Sequence, residues 1–285
     1  DGRTIDPKAQ AASELVALIR DPNVIPSVEE SRKQLDTLAT KFDQPCPADV
    51  QICDITLPGL TGDRAARLYA PAAADLMAAQ PTLLYLHGGG WVQGSLKSHH
   101  ALCGKLAKQA GLRVISYDYV LAPEHKFPML PDDVLQVYRA LLAGAAGLGV
   151  SADQLIVGGV SAGANLPAAL MHDLCTAGDA LPLAQLLIYP AVDGRLTSPS
   201  MTALAEQPLL SRARIEWFLD HYLPQGQDRH DPRFSPLFSD TLAGQPPALI
   251  IAAGHAPLWD DAIAYARALQ QAEVPVTLLE YEGQV

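Results

Sequence analysis

The sequence contains one serine whose neighbours are typical of an enzymatic nucleophile. Ser161 lies at the centre of a Gly-Val-Ser-Ala-Gly run, between Gly159 and Gly163. An apolar stretch, residues 155–160, precedes it, and a segment with helical character follows. A serine on such a sharp strand-to-helix turn projects above the edge of a sheet, and the helix N-terminus behind it favours developing negative charge. Because this pattern also arises by chance, its meaning depends on finding an oxyanion hole, an acid and a base.

A second glycine-rich run follows an apolar stretch that is predicted to be the first buried strand. Residues 87–91 read His-Gly-Gly-Gly-Trp, and the three glycines leave N–H groups that a substrate oxygen can approach closely. A flexible loop or a phosphate-binding loop is the alternative, but the run does not match the nucleotide-binding glycine patterns. Its place one strand-helix-strand-helix unit before Ser161 favours an oxyanion hole. His87 is interpreted as a hydrogen-bond partner that orients this loop rather than as the base.

The composition is that of a globular protein with a small-molecule substrate. Of the 285 residues, 49% are hydrophobic and 18% are charged, and the formal net charge is −11. This charge argues against a surface for nucleic acid or anionic membranes, since either would need a basic patch. The sequence has no apolar run of the roughly 18 to 20 residues that a membrane span requires. We therefore expect neither a nucleic-acid partner nor a membrane span.

The cysteines predict a reducing environment. Cys46, Cys53, Cys103 and Cys175 have neither C-x-x-C spacing nor the spacing of a cysteine and histidine metal site. They are interpreted as reduced thiols of a cytoplasmic protein, with no metal role. The sequence starts at Asp1 rather than at methionine, so a preceding segment is expected.

The segment before the first strand is predicted to be helical. Residues 1–45 contain two helical stretches separated by Asp21-Pro22 and Pro26, and Ser27 with Glu30 forms a capping-box pattern for the second. Residues 51–57 and 64–69 then predict a hairpin with its turn at Pro58-Gly59. Since a helical preface has no place within a sheet, we expect it to cover another part of the molecule.

The rest of the chain alternates short apolar stretches with helical ones. The predicted strands are residues 82–86, 112–117, 155–160, 184–189, 248–253 and 276–281, and the predicted helices are 96–109, 132–142, 162–175 and 260–271. This alternation predicts a mostly parallel sheet buried on both faces, with eight strands once the hairpin is counted. Residues 193–242 interrupt the pattern with a helix at 212–222, and an excursion of this length is typical of a lid or binding element.

Three motifs together resemble one enzyme family. Residues 87–91, 119–128 and 159–163 look like the hormone-sensitive-lipase family of α/β-hydrolase esterases, and the likeness runs from about residue 50 to the end. The resemblance implies an α/β-hydrolase fold with helices on both faces of the sheet. It also implies one domain over residues 1–285, with a helical cap built from residues 1–45 and 193–242.

The same resemblance assigns chemistry to the motifs. It makes Ser161 the nucleophile and gives the oxyanion to the N–H groups of Gly89, Gly90 and Ala162. By the same resemblance, the substrates of the protein would be carboxylic esters with short to medium acyl chains. It implies no cofactor and a monomer or homodimer.

The sequence departs from the family where the triad should be completed. The family's acid is an aspartate before Pro-Leu after the seventh strand, and the matching position here is Ala256. Asp260 or Asp261, one helical turn further on, is the candidate substitute. The family's histidine follows a Tyr-x-Gly-x-x run, which here ends at Val285. We therefore expect that the true C-terminus, with a histidine and a helix, lies beyond the sequence.

Three functions remain open at this level. The favoured hypothesis is a carboxylesterase that forms an acyl-enzyme on Ser161. The second is a small-molecule binding protein that retains the fold but has impaired catalysis, as in the plant gibberellin receptors that resemble the same family; Ala256 motivates it. The third is an amidase or formamidase that uses the same serine.

Overall fold

The glycine-rich run and Ser161 follow the carboxyl ends of two neighbouring parallel strands of the sheet. The computed structural model describes residues 3–19 and 25–285, without the Ile19 side chain. Its strands are β1 (Val50–Gly59), β2 (Gly62–Pro71), β3 (Thr82–Leu86), β4 (Arg113–Tyr117), β5 (Leu155–Val160), β6 (Ala184–Ile188), β7 (Ala248–Ala253) and β8 (Val276–Tyr281). Within the described residues they form one eight-stranded sheet in the order β1-β2-β4-β3-β5-β6-β7-β8. β2 pairs antiparallel with β1 and β4, and the other pairs are parallel, as the sequence predicted.

Helices cover both faces of this sheet. They are α1 (Pro7–Ile19), α2 (Val28–Phe42), α3 (His100–Ala110), α4 (Met129–Leu142), α5 (Ala162–Ala177), α6 (Pro199–Ala203), α7 (Arg212–Tyr222) and α8 (Trp259–Gln271). Successive residues of a strand point to opposite faces. Accordingly, Leu83 and Tyr85 of β3 pack in the cluster that contains α3, whereas Leu84 and Leu86 pack with α4 and α5. Both faces of β3 are therefore buried, which explains its continuous apolar sequence.

The second N-terminal helix begins as the sequence predicted. Ser27 caps α2, its Oγ accepts the Glu30 N–H at 3.2 Å, and Glu30 Oε2 accepts the Ser27 N–H at 2.8 Å. These two bonds satisfy N–H groups that the first turn of a helix leaves without partners. The predicted break at Asp21-Pro22 lies outside the described residues.

Three local predictions were wrong. The hairpin turns at residues 60–61 rather than at Pro58-Gly59, because β1 continues through Pro58, which pairs with Asp63; β1 is an edge strand, where the missing N–H of proline can face solvent. Helix α4 begins at Met129, three residues early, since Pro131 falls in its first turn, where proline is tolerated. Helix α3 begins only at His100, because Ser95 and Ser98 hydrogen-bond to each other in a loop before it.

None of the helices in the described part of the chain is long and apolar enough to cross a bilayer.

Candidate active site

Ser161 occupies the strained turn that the sequence predicted. It lies between β5 and α5 with φ 58° and ψ −121°, a conformation that residues other than glycine rarely adopt. Its N–H donates to Ile188 O of β6 at 2.9 Å, and its carbonyl accepts the N–H groups of Ala164 at 2.9 Å and Asn165 at 3.0 Å. The sheet and the helix therefore both hold the backbone of this serine in place.

Both flanking glycines are required by close packing. A Cβ on Gly159 would collide with the carbonyl of Gly163, and a Cβ on Gly163 would collide with the carbonyl of His87. The tight turn therefore also brings the start of α5 against the glycine-rich run after β3. This packing sets Ser161 beside residues 87–91.

The glycine-rich run is folded back on itself. Gly89 and Gly90 have φ values of 133° and 60°, which glycine alone adopts easily. The Gly89 carbonyl accepts the N–H groups of Val92 at 3.2 Å and Gln93 at 3.0 Å. Because a trans peptide is planar, its C=O and the next residue's N–H point in opposite directions. Fixing the Gly89 carbonyl therefore fixes the direction of the Gly90 N–H.

Ser161 shares a pocket with two of its three predicted oxyanion donors. Gly90 and Ala162 line this pocket together with Ser161, whereas Gly89 does not. Above them the pocket has an apolar wall from the segment 193–242: Leu196, Leu210, Ile215, Phe218, Leu219 and Phe234. No described residue of the segment 1–45 lines this pocket. The arrangement can hold a neutral acyl group with its carbonyl near two backbone N–H groups.

His87 lies beneath the loop rather than in the pocket. It is fully buried, its ring stacks on that of Tyr119 with centroids 4.3 Å apart, and Nδ1 lies 3.0 Å from the Gly88 carbonyl. Burial lowers the pKa of His87 to about 4, so at neutral pH the ring is uncharged and Nδ1 carries the proton that it donates to Gly88. This is the orienting position that the sequence suggested.

A second histidine, which sequence reasoning missed, holds the same loop. His99 Nε2 accepts the Gly88 N–H at 3.2 Å. Burial, followed by the nearby His87, lowers the pKa of His99 to about 3, which keeps Nε2 available as an acceptor. Nδ1, at 3.0 Å from Ser98 Oγ, is then the donor nitrogen. The only sequence signal for His99 was a histidine eleven residues after Gly88.

The position of the family's acid is occupied by a buried alanine. Ala256 follows β7 and is 9% exposed. Of the two candidate substitutes, Asp260 does not line the pocket, and its carboxylate accepts the Ser200 N–H at 2.7 Å near the start of α6. Asp261 lines the pocket, but its Oδ2 accepts the N–H groups of Val192 and Asp193, each at 3.2 Å. Both carboxylates therefore bind backbone N–H groups.

Two acidic side chains interrupt the apolar wall. Burial, reinforced by the nearby Asp193, raises the pKa of Asp261 to about 7. Burial acts in the same direction on Asp193, but hydrogen bonds and charge from Arg195 outweigh it and lower the pKa of that carboxyl. Asp193 was not singled out by the sequence, although it lies five residues after the end of β6 and lines the same pocket as Ser161. The eight histidines of the sequence all lie among the described residues, and none of them lines this pocket.

Comparisons with known proteins agree with this architecture. A family model described as the α/β hydrolase fold matches residues 83–285. The chain is 40% identical over 264 residues to an ethyl acetate hydrolase of Pseudomonas putida, covering 90% of this chain and 81% of that protein. It is 35% identical to the carboxylic ester hydrolase LipN of Mycobacterium tuberculosis, covering 98% of this chain and 75% of the relative.

Solved structures of esterases also superimpose closely on this chain. The hyperthermophilic esterase of the archaeon Pyrobaculum calidifontis superimposes with a TM-score of 0.87 at 33% identity, covering 98% of this chain and 90% of that one. An ester hydrolase from the metagenome of Lake Arreo gives a TM-score of 0.93 at 33% identity, covering 99% and 90%. The similarity extends over almost the whole chain, including the N-terminal helices and the segment 193–242.

Proposed function

The chain belongs to the α/β-hydrolase family, among the esterases that resemble hormone-sensitive lipase, and we propose that it hydrolyses carboxylic esters through an acyl-enzyme on Ser161. The observation that carries this proposal is the shared pocket of Ser161, Gly90 and Ala162. A serine at a strained strand-to-helix turn, facing backbone N–H groups, is arranged for attack on a carbonyl carbon. The related esterases support the same reaction class.

The reaction proceeds in two steps. Ser161 Oγ bonds to the carbonyl carbon of the ester and loses its proton to a base, and the carbonyl oxygen becomes an oxyanion bound by the N–H groups of Gly90 and Ala162, which line the pocket; the family resemblance adds the N–H of Gly89 as a third donor. Collapse of this intermediate breaks the C–O bond to the alcohol, which leaves with a proton. Water then attacks the acyl-enzyme in the same way and releases the acid. No step requires a cofactor.

The supporting acid is the weak part of the proposed active site. The family resemblance assigns the base to a histidine, and none of the eight in the sequence lines the pocket. At the acid position, the methyl group of Ala256 can neither orient an imidazole nor balance its charge. Losing that carboxylate costs about four orders of magnitude in turnover where it has been tested in serine hydrolases. We therefore propose an esterase of low turnover, not one without activity.

The pocket supports short to medium acyl chains as substrates. Its apolar wall suits an alkyl group, and the 40%-identical relative is named for an ester of a two-carbon acid. We assign the cap to residues 1–45 and 193–242, of which the second supplies more than half of the lining residues. The four free cysteines support a cytoplasmic location, and a monomer or homodimer remains our expectation.

The decisive experiment compares the full-length protein with its Ser161→Ala variant on p-nitrophenyl acetate and butyrate. We expect hydrolysis by the parent and its loss in the variant. Ser151→Ala, at an exposed serine before β5, is the matched control and should hydrolyse as the parent does. Equal rates for the parent and Ser161→Ala would reject the proposal. Neither the binding-protein hypothesis nor the amidase hypothesis is favoured by any of the relatives compared.

A further inference from the structure

A serine is the one fully buried residue of helix α2. Ser31 has 0% exposure, whereas the other side chains of α2 are half-buried or exposed. Placing a hydroxyl in the interior costs free energy unless it is hydrogen-bonded, and an apolar side chain is the usual choice at such a position. The partners of Ser31 therefore indicate why a hydroxyl stands there.

The hydroxyl of Ser31 joins two segments that are far apart in sequence. Its O–H donates to Oε1 of the buried Gln93, and its oxygen accepts a hydrogen bond from Nη2 of Arg214 in α7. One hydroxyl can do both, since it has one hydrogen and two lone pairs. The two hydrogen bonds that join Ser31 to Gln93 and to Arg214 form only when α2, the loop after β3 and α7 lie together.

Gln93 transmits this contact to the oxyanion loop. Its backbone N–H is one of the two that hold the Gly89 carbonyl, at 3.0 Å, and that carbonyl sets the direction of the Gly90 N–H through the planar peptide. The neighbouring Arg32 of α2 adds a second contact, because its Nε donates to the Val92 carbonyl at 2.8 Å. Helix α2 thus holds both residues that clamp Gly89, without lining the pocket itself.

Arg214 supports Gly90 from the other side, through the ring of Phe218. Its guanidinium lies 4.3 Å from the ring centroid of Trp217 and 4.9 Å from that of Phe218. The Phe218 ring lies so close to Gly90 that a Cβ on this glycine would collide with it. The Ser31 hydroxyl therefore lies between two supports of Gly90: Gln93 on the loop side and Arg214 with Phe218 on the α7 side.

We propose that Ser31 is a positioning residue for ester hydrolysis, which fixes the Gly90 N–H toward the oxyanion through Gln93 and Arg214. The inference rests on the proposed esterase function. Ser31 touches no substrate, so its hydroxyl acts on the transition state rather than on binding of the ester. Loss of an interaction made only in the transition state lowers kcat and leaves KM nearly unchanged.

The test is steady-state hydrolysis of p-nitrophenyl butyrate by Ser31→Ala, Gln93→Leu and the double variant of the full-length protein. Each is assayed at a temperature well below its own midpoint of unfolding. We expect Ser31→Ala to lower kcat about tenfold, less than the 10²- to 10³-fold loss of a whole oxyanion donor, with KM within about twofold. Thr37→Ala is the matched control, because this hydroxyl of α2 bonds to the Lys33 carbonyl of its own helix, and its kcat should not change.

The double variant identifies the route. If Ser31 acts partly through Gln93, the kcat loss of the double variant is smaller than the product of the two single losses. Three results would each overturn the inference. They are an unchanged kcat in Ser31→Ala, a fall in kcat/KM that comes only from a higher KM, and a double variant whose kcat loss equals the product of the two single losses. Should Ser31→Ala not fold, Gln93→Leu applies the kcat and KM criteria from the loop side. A parent whose hydrolysis survives Ser161→Ala overturns both this inference and the esterase function, whereas Ser161-dependent hydrolysis with full activity in Ser31→Ala overturns this inference alone.

Discussion

The indole N–H of Trp91 donates a hydrogen bond to Oδ1 of Asn165 at 3.3 Å. Trp91 ends the glycine-rich run, and Asn165 lies one helical turn after Ser161, so this bond ties the glycine-rich run directly to helix α5. The amide nitrogen of Asn165 donates to the carbonyls of Ala191 and Phe234, each at 2.8 Å. One buried amide therefore connects the two motifs to the strand end after β6 and to the segment 193–242.

Replacing this amide should destabilise the protein. Asn165→Ala leaves the Ala191 and Phe234 carbonyls and the Trp91 N–H without their partner in the interior, and we expect a loss of about 3 kcal/mol in the free energy of unfolding. Urea unfolding followed by fluorescence measures it. Gln10→Ala, at an exposed amide of α1 that bonds to Glu14, should lie within about 0.5 kcal/mol of the parent. If the free energy of unfolding of Asn165→Ala were also within about 0.5 kcal/mol of the parent, this role of Asn165 would be contradicted.

The sequence predicted this fold well because its signals were local and redundant. Continuous apolar stretches marked β3 and β5, and the capping box marked the start of α2. The elbow at Ser161 was found because a glycine is needed on each side of the turn, and such needs are visible in a sequence. A short apolar strand next to a glycine motif is therefore sufficient to predict that Ser161 lies on a turn between a strand and a helix.

The contacts that hold the site could not be predicted in the same way. Ser31, His99 and Asn165 are ordinary polar residues whose partners lie 62, 11 and 74 positions away, respectively. Their roles depend on how the chain folds back, which neither periodicity nor motif spacing encodes. The same holds for Asp261, which the sequence offered as a substitute acid and which the structure places on two backbone N–H groups.

Asp261 should make stability depend on pH. Its pKa in the folded protein is about 7, against an ordinary value of 3.8 for an aspartate, so between about pH 4 and pH 7 the folded state keeps a proton that the unfolded chain releases. The free energy of unfolding therefore falls as pH rises through this window, by up to about 1.4 kcal/mol per pH unit from this group. Asp261→Asn stays uncharged and keeps an oxygen acceptor for the two N–H groups. The parent-minus-variant difference, measured by urea unfolding from pH 4 to pH 7.5, should decrease steadily.

This difference isolates Asp261 because the other shifted groups are present in both proteins. His87 and His99 have lowered pKa values and act in the opposite direction, since they bind protons more readily in the unfolded chain. Their contribution cancels in the comparison. Parallel pH profiles for the parent and Asp261→Asn would show that this carboxyl does not titrate in the window.

The wall of the pocket should set the acyl-chain preference. Ile215 of α7 is 6% exposed and lines the pocket. Ile215→Ala opens space there, and each additional methylene that a longer acyl chain buries in it is worth about 1 kcal/mol or more. We expect the ratio of kcat/KM for p-nitrophenyl octanoate to that for the butyrate to rise about tenfold. Glu216→Ala, on the exposed side of the same helix, should leave the ratio unchanged; an equal ratio in all three proteins would place the acyl chain elsewhere.

Restoring a carboxylate at position 256 should raise turnover. Ala256 occupies the place of the family's acid, and Asp260 and Asp261 are both engaged with backbone N–H groups. In the full-length protein, Ala256→Asp supplies a group that can orient the base and stabilise its protonated form. We expect kcat for p-nitrophenyl butyrate to increase at least about tenfold, with little change in KM, because the carboxylate acts on the transition state.

Ala256→Asn separates the charge of that carboxylate from its size. The two side chains are nearly the same shape, but an amide cannot balance the charge of an imidazolium, and its nitrogen can favour the wrong tautomer of the base. Turnover by Ala256→Asn should therefore stay near that of the parent. If both variants gained equally, the improvement would come from filling space at position 256. If neither variant gained turnover while Ser161 remained essential, another group already supports the base. Asp193, which lies in the loop after β6 and lines the pocket, would be the next residue to replace.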